Sequence, residues 1–327
     1  MRKMLIKQVD AFTTVPFGGN PAGVITDGDG LQTEEMLRIA GEMNLSETAF
    51  VTAAGSDEAL FGLRFFTPSN EVDLSGHVVI AAAWALAEEG RIPLSDGLNT
   101  FAFETNVGII PVDLYFDGTE TPVTDSDRVA LRTAAVCGEL RRIMMHQSIL
   151  RCETCAVSIS ELASILGIAE REITATGLPV EVISTGLTLA LIPVMSKETI
   201  LNMNPDLIKL GIFNRRYDIE ANHIFTMDTF SSDCVSYARH FAPVLGMWED
   251  PGTGTASAAL GAYLLRHGVV TSGSMVLEQG NDAASLARIF VEVEQSGSED
   301  GAARIGGLAI TSITREITID GSAILIA

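Results

Sequence analysis

Four side chains able to carry charge or exchange protons lie beside glycine-containing segments of the sequence. Glu47 begins a short run of strand-forming residues, and His77 follows Gly76 at the start of an alanine-rich segment. Glu249 and Asp250 come just before a second segment of that kind, GTGTASAALG. Because carboxylates and imidazoles are the usual groups for general acid–base catalysis, these residues are candidates for moving protons on a substrate.

Each candidate also has a purely structural explanation. Asp250 fits the preference for an acid before a helix, His77 fits a polar residue in a first turn, and Glu47 fits a polar strand end. Taken one at a time, these residues do not establish catalysis. The argument for a site depends on whether the fold brings them together.

Two stretches of the chain resemble each other and suggest such a fold. Residues 65–90 (FFTPSNEVDLSGHVVIAAAWALAEEG) and 240–268 (HFAPVLGMWEDPGTGTASAALGAYLLRHG) share a strand end with an aromatic residue and proline, an acidic loop, a glycine-marked helix start and a closing glycine. The small residues of both helices suit close packing inside a curved sheet. The pattern predicts a duplicated fold.

The two predicted helix starts are suited to binding an anion. The leading N–H groups of a helix have no acceptor within it, and the helix dipole adds partial positive charge there. Gly76 and His77 form one start, and residues 252–255 form the other. We therefore expect a small acid to bind in a cleft between two domains.

Composition and charge narrow the classes of protein. The chain has 327 residues, of which 47% are hydrophobic, and a formal net charge of -21. This length favours two domains, and the negative charge disfavours nucleic acid and anionic membranes as partners. No apolar run is long enough to span a bilayer, and MRKMLIKQVDAF lacks the apolar segment of a signal peptide, so we expect a cytoplasmic protein.

Neither a cofactor nor a metal is expected. GTGTASAALG has Ser257 where a dinucleotide-binding GxGxxG motif has its third glycine, and no acidic strand end follows at the usual distance. Cys152 and Cys155 form a CETC pair, but no further zinc ligands stand close in sequence, and no clear strand and turn precede it as in a redox motif. We interpret these cysteines as incidental thiols.

Several motifs distributed in order over nearly the whole chain resemble the PhzF-like phenazine biosynthesis family, which has the diaminopimelate epimerase fold. GNPA, NLSETAFV and the EDPxTG pattern are specific when they occur together. The motifs are VDAFTTVPFGGNPAGVI, MNLSETAFV, FFTPSNEVDLSGH, ETNVGIIPV, STG at 184–186, EDPGTGTASAALGAYL and EQG at 278–280.

The resemblance implies an α+β fold of two pseudo-duplicated domains, each with a mostly antiparallel sheet wrapped around a central helix. The halves would be residues 1–118, completed by the C-terminal strand, and residues 119–327, with a variable linker region near 119–180. The family also implies a homodimer.

The resemblance further implies cofactor-independent isomerisation of a small, cyclic or amino, carboxylic acid, in which a proton moves between carbons, as in dihydro-hydroxyanthranilate isomerisation. The catalytic residues of the family map onto Glu47, His77 and Asp250. Val78 after the histidine and NDAASLARIF after EQG depart from the family and leave the substrate open. The expected substrate-binding residues are Asn20, Ser46, Ser75, Gly76, Thr253, Gly254 and Thr255, the last replacing a serine of the family.

Two alternatives remain. A racemase or epimerase of this fold would use a cysteine beside each helix start, but Ser75 and Pro251 occupy those positions and cannot serve as thiolate bases. A catalytically silent protein that binds a small metabolite would use the same helix-end amides. Proton exchange into a bound compound would distinguish an isomerase from such a binding protein.

Overall fold

The chain packs into two compact units. Unit 1 comprises Met1–His146 with Gly306–Ala327, and unit 2 comprises Gln147–Ile305. The computed structural model describes residues 2–118, 129–132, 137–147, 151–153, 157–184, 187–294, 302–320 and 323–326.

Strands dominate the first segment of unit 1. Its elements are β1 (Arg2–Ala11), β2 (Asn20–Ile25), α1 (Thr33–Met43), β3 (Thr48–Thr52), β4 (Phe61–Phe66), β5 (Glu71–Val72), α2 (Gly76–Glu88), β6 (Gly97–Thr105), β7 (Gly108–Asp117), β8 (Val129–Arg132) and β9 (Cys137–Gln147).

Unit 2 has more helices, and the chain then returns to unit 1. The elements of the middle segment are β10 (Arg151–Glu153), α3 (Ile159–Leu166), α4 (Arg171–Thr174), β11 (Glu181–Ser184), β12 (Thr188–Pro193), α5 (Lys197–Asn202), α6 (Leu207–Tyr217), β13 (Ala221–Thr226), β14 (Ser236–Ala242), a short 3₁₀ helix (Pro243–Leu245), β15 (Met247–Asp250), α7 (Gly254–Arg266), β16 (Ser274–Gln279) and β17 (Ala287–Val293). The last strands are β18 (Ala303–Gly307), β19 (Ala309–Asp320) and β20 (Ala323–Ile326).

The described strands of unit 1 follow one pairing pattern. β1 pairs antiparallel with β2, β2 parallel with β3, β3 antiparallel with β4, β4 parallel with β6, and β6 antiparallel with β7. On its other side β1 pairs antiparallel with β19. β19, from the C-terminal segment of the chain, therefore completes the sheet of the N-terminal unit.

The strands of unit 2 repeat this pattern. β11 pairs antiparallel with β12, β12 parallel with β13, β13 antiparallel with β14, β14 parallel with β16, and β16 antiparallel with β17. α2 lies between β5 and β6, and α7 lies between β15 and β16. The predicted fold class, two duplicated and mostly antiparallel sheets each with a central helix, is confirmed.

The two central helices are buried on nearly all sides, as their small residues predict. Every residue of α2 from His77 to Ala87 is buried, and the helix packs against β1, β2 and β3. α7 packs against β17 so closely that a Cβ atom on Gly261 would lie 2.8 Å from Cγ1 of Val291. Larger side chains would separate helix and sheet.

Two details differ from the sequence-based expectations. SKETILNMNPDLIKLG was expected to be one helix, but it forms α5 and α6, because Pro205 lacks an amide hydrogen and cannot continue the first helix. The first half was expected to end at residue 118, whereas unit 1 continues to His146, because β9 pairs with β7. Cys155 and two residues of the STG motif lie outside the described residues.

Candidate functional site

The pairing of β2 with β3 fixes the position of Glu47. The amide of Gly23 donates a hydrogen bond to the carbonyl oxygen of Glu47 at 3.0 Å. A Cβ atom on Gly23 would lie 2.6 Å from Oγ1 of Thr48, so only glycine allows this close approach. Asn44 ends α1 in the left-handed conformation, with φ of 51°, and turns the chain toward β3.

Glu47 and His77 are neighbours in unit 1. Oε2 of Glu47 lies 3.5 Å from Nε2 of His77, and their side chains are 13% and 8% exposed. Oγ of Ser46 lies 3.3 Å from the same nitrogen, and Oγ of Ser75 lies 3.3 Å from Nδ1. We call Ser46, Glu47, Ser75, Gly76 and His77 the first half-site.

This arrangement gives His77 two polar contacts at one nitrogen and one at the other. A neutral imidazole donates at one ring nitrogen and accepts at the other, and a serine hydroxyl can serve either role by rotating. The two serines are therefore compatible with either tautomer of His77, whereas only the tautomer protonated at Nε2 points an N–H group toward Glu47.

The start of α2 contributes backbone donors to the first half-site. Ser75 is the N-cap residue, and its carbonyl accepts the first helical hydrogen bond, from the amide of Val79 at 3.0 Å. The hydroxyl of Ser75 does not cap the helix and instead faces His77. The leading amides of such a helix have no acceptor within it and favour a negative charge.

The corresponding region of unit 2 holds Asp250, Thr253 and Gln279. Asp250 ends β15 and is 7% exposed, and its Oδ2 accepts a hydrogen bond from the hydroxyl of Thr253. Gln279 Nε2 donates to the carbonyl of Asp250 at 2.7 Å and to Oγ1 of Thr253 at 2.9 Å. We call Asp250, Thr253, Gly254 and Thr255 the second half-site.

The other candidates have definite positions in their own units. Gly254 and Thr255 are the first two residues of α7, and Asn20 is fully buried at the first residue of β2. Glu249 forms a two-pronged ion pair with Arg239, with distances of 2.7 and 2.8 Å, which gives it a structural role. Of the acidic pair before α7, Asp250 is therefore the site candidate.

Gln279 did not emerge as a site residue from the sequence, although it belongs to the EQG motif. It is 1% exposed at the end of β16, and its three hydrogen bonds all reach the Asp250–Thr253 segment. That contact depends on the parallel pairing of β16 with β14, which no local pattern predicts. The available indication of its role in the sequence was its position as the central residue of the EQG motif.

Three further titratable groups of unit 2, two histidines and a cysteine, are buried. His223 on β13 and His240 on β14 are cross-strand partners, with 3.3 Å between their Nδ1 atoms. Burial, reinforced by the neighbouring His240, holds the pKa of His223 well below its usual value, and burial lowers the pKa of His240 to about 4. Burial also raises the pKa of the Cys234 thiol to about 12, so this thiol is not a nucleophile at neutral pH.

Among the described residues, no cluster of three or more histidine, cysteine, aspartate or glutamate side chains has an arrangement that could hold a metal ion. No helix in the described part of the chain is long and apolar enough to span a bilayer.

Comparison with known proteins gives a family match over most of the chain. The model of the family described as "Phenazine biosynthesis-like protein" matches residues 9–315. An uncharacterized isomerase of Clostridium acetobutylicum is 30% identical over 324 residues, covering 98% of this chain and 100% of the relative. An uncharacterized isomerase of Deinococcus radiodurans is 34% identical over 312 residues, covering 92% of this chain and 91% of the relative.

A solved structure agrees with these sequence relatives. The crystal structure of the Bacillus anthracis phenazine biosynthesis protein of the PhzF family has a TM-score of 0.82 and 29% identity, and the match covers 98% of this chain and 100% of that one. The curated relatives carry the name isomerase. Together these matches place the chain among isomerases.

Proposed function

The chain belongs to the phenazine biosynthesis-like protein family, and from that premise we propose that it isomerises a small carboxylic acid without a cofactor. In this proposal one side chain, the carboxylate of Glu47, moves a proton between two carbons of the substrate. The observation that supports it best is the proximity of Glu47 to His77 at the start of α2, with both side chains largely buried.

The proposed reaction has two proton steps. Glu47 first takes a proton from a carbon next to an electron-withdrawing group, and the electrons of the broken C–H bond spread into an enolate-like system. The protonated Glu47 then returns the proton to a second carbon of that system, so that no electrons or atoms are gained or lost. A positioned acid–base group of this kind contributes about a hundred- to ten-thousand-fold in rate.

His77 and the two serines support this exchange in the proposal. With Nε2 3.5 Å from Glu47, His77 stabilises the carboxylate before the first step and accommodates its protonated form afterwards. Ser46 and Ser75 orient the ring by their contacts with its two nitrogens. The leading amides of α2 bind a carboxylate or the developing negative charge of the substrate.

In the proposal, the second half-site also offers groups that can bind a substrate. The leading amides of α7 provide donors for an anionic group, and Asp250 accepts a hydrogen bond from an amine or hydroxyl of the substrate. A small acid that carries both kinds of group, such as a cyclic amino acid, fits these requirements. Dihydro-hydroxyanthranilate is one compound of that class.

Exchange of hydrogen with solvent tests the proposal directly. The protein is incubated in D₂O with dihydro-hydroxyanthranilate and a panel of cyclic and acyclic amino acids, and deuterium in each compound is measured by mass spectrometry. The wild type should label and isomerise at least one compound, and Glu47→Gln should lower that rate at least about a hundred-fold.

Glu42→Gln is the matched control, because Glu42 is an exposed residue of α1 only five positions away and touches neither half-site. It should label the substrate at the wild-type rate. Equal rates in Glu47→Gln and wild type would refute the role of Glu47. Compounds that bind to the wild type and never exchange label would instead identify a silent binding protein.

A further inference from the structure

Gln279 contacts the second half-site through every polar atom of its side chain. Its Nε2 donates to the main-chain oxygen of Asp250 at 2.7 Å and to Oγ1 of Thr253 at 2.9 Å, and its Oε1 accepts from the amide of Thr253 at 3.0 Å. The side chain is 1% exposed. One buried amide thus spans the segment that connects β15 to α7.

These contacts fix the orientation of the amide. The Thr253 N–H group can only donate, so the Gln279 atom facing it must be the oxygen, and the Asp250 carbonyl can only accept, so the atom facing it must be the NH₂ group. The two requirements agree, and an inverted amide would violate both. Gln279 is therefore held in a single orientation.

The fixed amide in turn determines the direction of the Thr253 hydroxyl. The hydroxyl has one hydrogen, and it must accept from Nε2 of Gln279 because that nitrogen has no lone pair to offer. Its hydrogen is thus directed to Oδ2 of Asp250, which accepts it. The chain Gln279–Thr253–Asp250 has one consistent set of donors and acceptors, and Asp250 stands at its accepting end.

We propose that Gln279 is a positioning residue for the reaction: it orients the Thr253 hydroxyl, which in turn holds the Asp250 carboxyl in place as an acceptor for a donor group of the substrate. This inference rests on the proposed function of Asp250. It also narrows the proposed substrate class to acids that carry an amine or hydroxyl group.

The neighbouring residue of the same strand, Glu278, has a structural role instead. Glu278 is 2% exposed, and its carboxylate accepts from the amides of Phe230 and Ser231, each at 2.9 Å. Successive residues of β16 point to opposite faces, so Glu278 fixes a loop while Gln279 faces the start of α7. Within the EQG motif, Glu278 therefore has a structural role and Gln279 has the proposed positioning role.

Gln279→Met tests the inference, because methionine has a similar length and removes all three hydrogen bonds. Asn222→Leu is the matched control: Asn222 is a fully buried amide of unit 2 that donates to Asn214 at 3.1 Å and lies outside both half-sites. We expect Gln279→Met to lower kcat for the labelled substrate about ten- to hundred-fold, and Asn222→Leu to leave it within about two-fold. Both variants should lower the melting temperature by similar amounts.

A double-mutant cycle separates positioning from general damage. If Gln279 acts through the Thr253 hydroxyl, the loss caused by Gln279→Met should shrink at least about three-fold in a Thr253→Val background. Thr253→Ser, which keeps the hydroxyl, should preserve the full effect. The inference would be overturned by losses in kcat that are purely additive in the double mutant. An equal loss of kcat in Asn222→Leu, or an unchanged kcat in Gln279→Met, would also overturn it. If Gln279→Met does not fold, Gln279→Glu serves in its place, because it keeps the shape and removes the NH₂ donor.

Amide hydrogen exchange tests the inference independently of the proposed function. The Thr253 amide, followed by NMR in the full chain, should exchange about five- to ten-fold faster in Gln279→Met and should not change in Asn222→Leu. Faster exchange in a protein whose wild type turns over no compound would uphold the positioning of Thr253 and refute the proposed function. Unchanged Thr253 exchange would overturn the inference whatever the turnover.

Discussion

At the residue scale, His77 links the members of the first half-site, because each of its ring nitrogens faces a polar partner. Ser46 and Glu47 lie on one side and Ser75 on the other. These partners come from two separate segments, the end of the turn after α1 and the start of α2. A substitution of His77 should therefore affect the proposed proton transfer more than folding.

His77→Asn should lower the rate of deuterium incorporation about ten- to hundred-fold, because asparagine keeps polarity and loses the second ring nitrogen. The measurement is the same labelling assay, with a thermal melt to show that folding is retained. His146→Asn is the control, since His146 is 42% exposed and pairs with Asp113 in the same unit. Equal losses in the two variants would argue against a specific role for His77.

The functional residues that could be predicted from the sequence belong to short motifs. Glu47, His77 and Asp250 were candidates from their side-chain types and positions, and the family motifs then assigned them catalytic roles, which stay predictions. Gln279 was not identified, because its partners are contiguous with it only in the folded sheet and stand more than two dozen positions earlier in the sequence. Functional residues within a short motif could be predicted, whereas hydrogen bonds between segments that are far apart in the sequence could not.

At the element scale, the parallel pair β2 and β3 positions Glu47, and Gly23 makes that pair possible. Gly23→Ala should destabilise unit 1 by about 1–3 kcal/mol, because the new methyl group would lie 2.6 Å from Oγ1 of Thr48. Adding Thr48→Ala should restore part of the stability by removing that oxygen. Urea denaturation measures both effects.

Gly118→Ala is the control for Gly23→Ala, because the nearest atoms to its Cβ would lie at an ordinary 3.7 Å. We expect it to change the free energy of unfolding by less than about 0.5 kcal/mol. A loss in Gly118→Ala as large as that in Gly23→Ala would show that the close approach of β2 and β3 is not the cause.

The histidine pair of β13 and β14 makes unit 2 sensitive to acid. Because burial lowers the pKa of His240 to about 4, the folded state binds fewer protons than the unfolded state, whose histidines titrate near 6.5. Stability is therefore complete above that value and falls as the pH drops toward 4. Lowering the pH from about 7 to about 5 should cost about 2 kcal/mol through His240 alone.

His240→Phe isolates this contribution, since phenylalanine fills a similar volume and does not titrate. The variant should lose less stability between those two pH values than the wild type does, as followed by the urea midpoint. If the stability of the two proteins depended on pH in the same way, the histidine pair would not be the cause of the acid sensitivity. Protonation of carboxylates elsewhere affects both proteins equally and cancels in the difference.

At the scale of the whole molecule, the family, the duplicated fold and the isomerase class could be predicted from the sequence and are confirmed. The two central helices could be predicted from the sequence because long runs of small apolar residues identify them. The split of the α5–α6 segment was missed because helical periodicity outweighed a single proline. The parallel pairings were not predicted, since strand order is not encoded in local alternation. The homodimer stays a prediction, which light scattering can test.

The net charge of -21 predicts a dependence on salt. Repulsion among excess carboxylates destabilises the compact state, and added salt screens it. Raising NaCl from about 0.02 M to about 0.3 M should raise the melting temperature by about 2–4 °C, which corresponds to about 1 kcal/mol for a unit of this size. Sucrose at equal osmolality is the control, and a melting temperature that falls with NaCl would mean that ion pairs outweigh the repulsion.

The pairing of β1 with β19 has a consequence for biosynthesis. A ribosome makes β1 before all of unit 2 and makes β19 after it. Unit 2 can therefore finish folding while the nascent chain still lacks the strand that covers one edge of β1. Until β19 emerges, that edge is open to pairing with other chains, so this protein should depend on chaperones that shield unfinished sheets during translation.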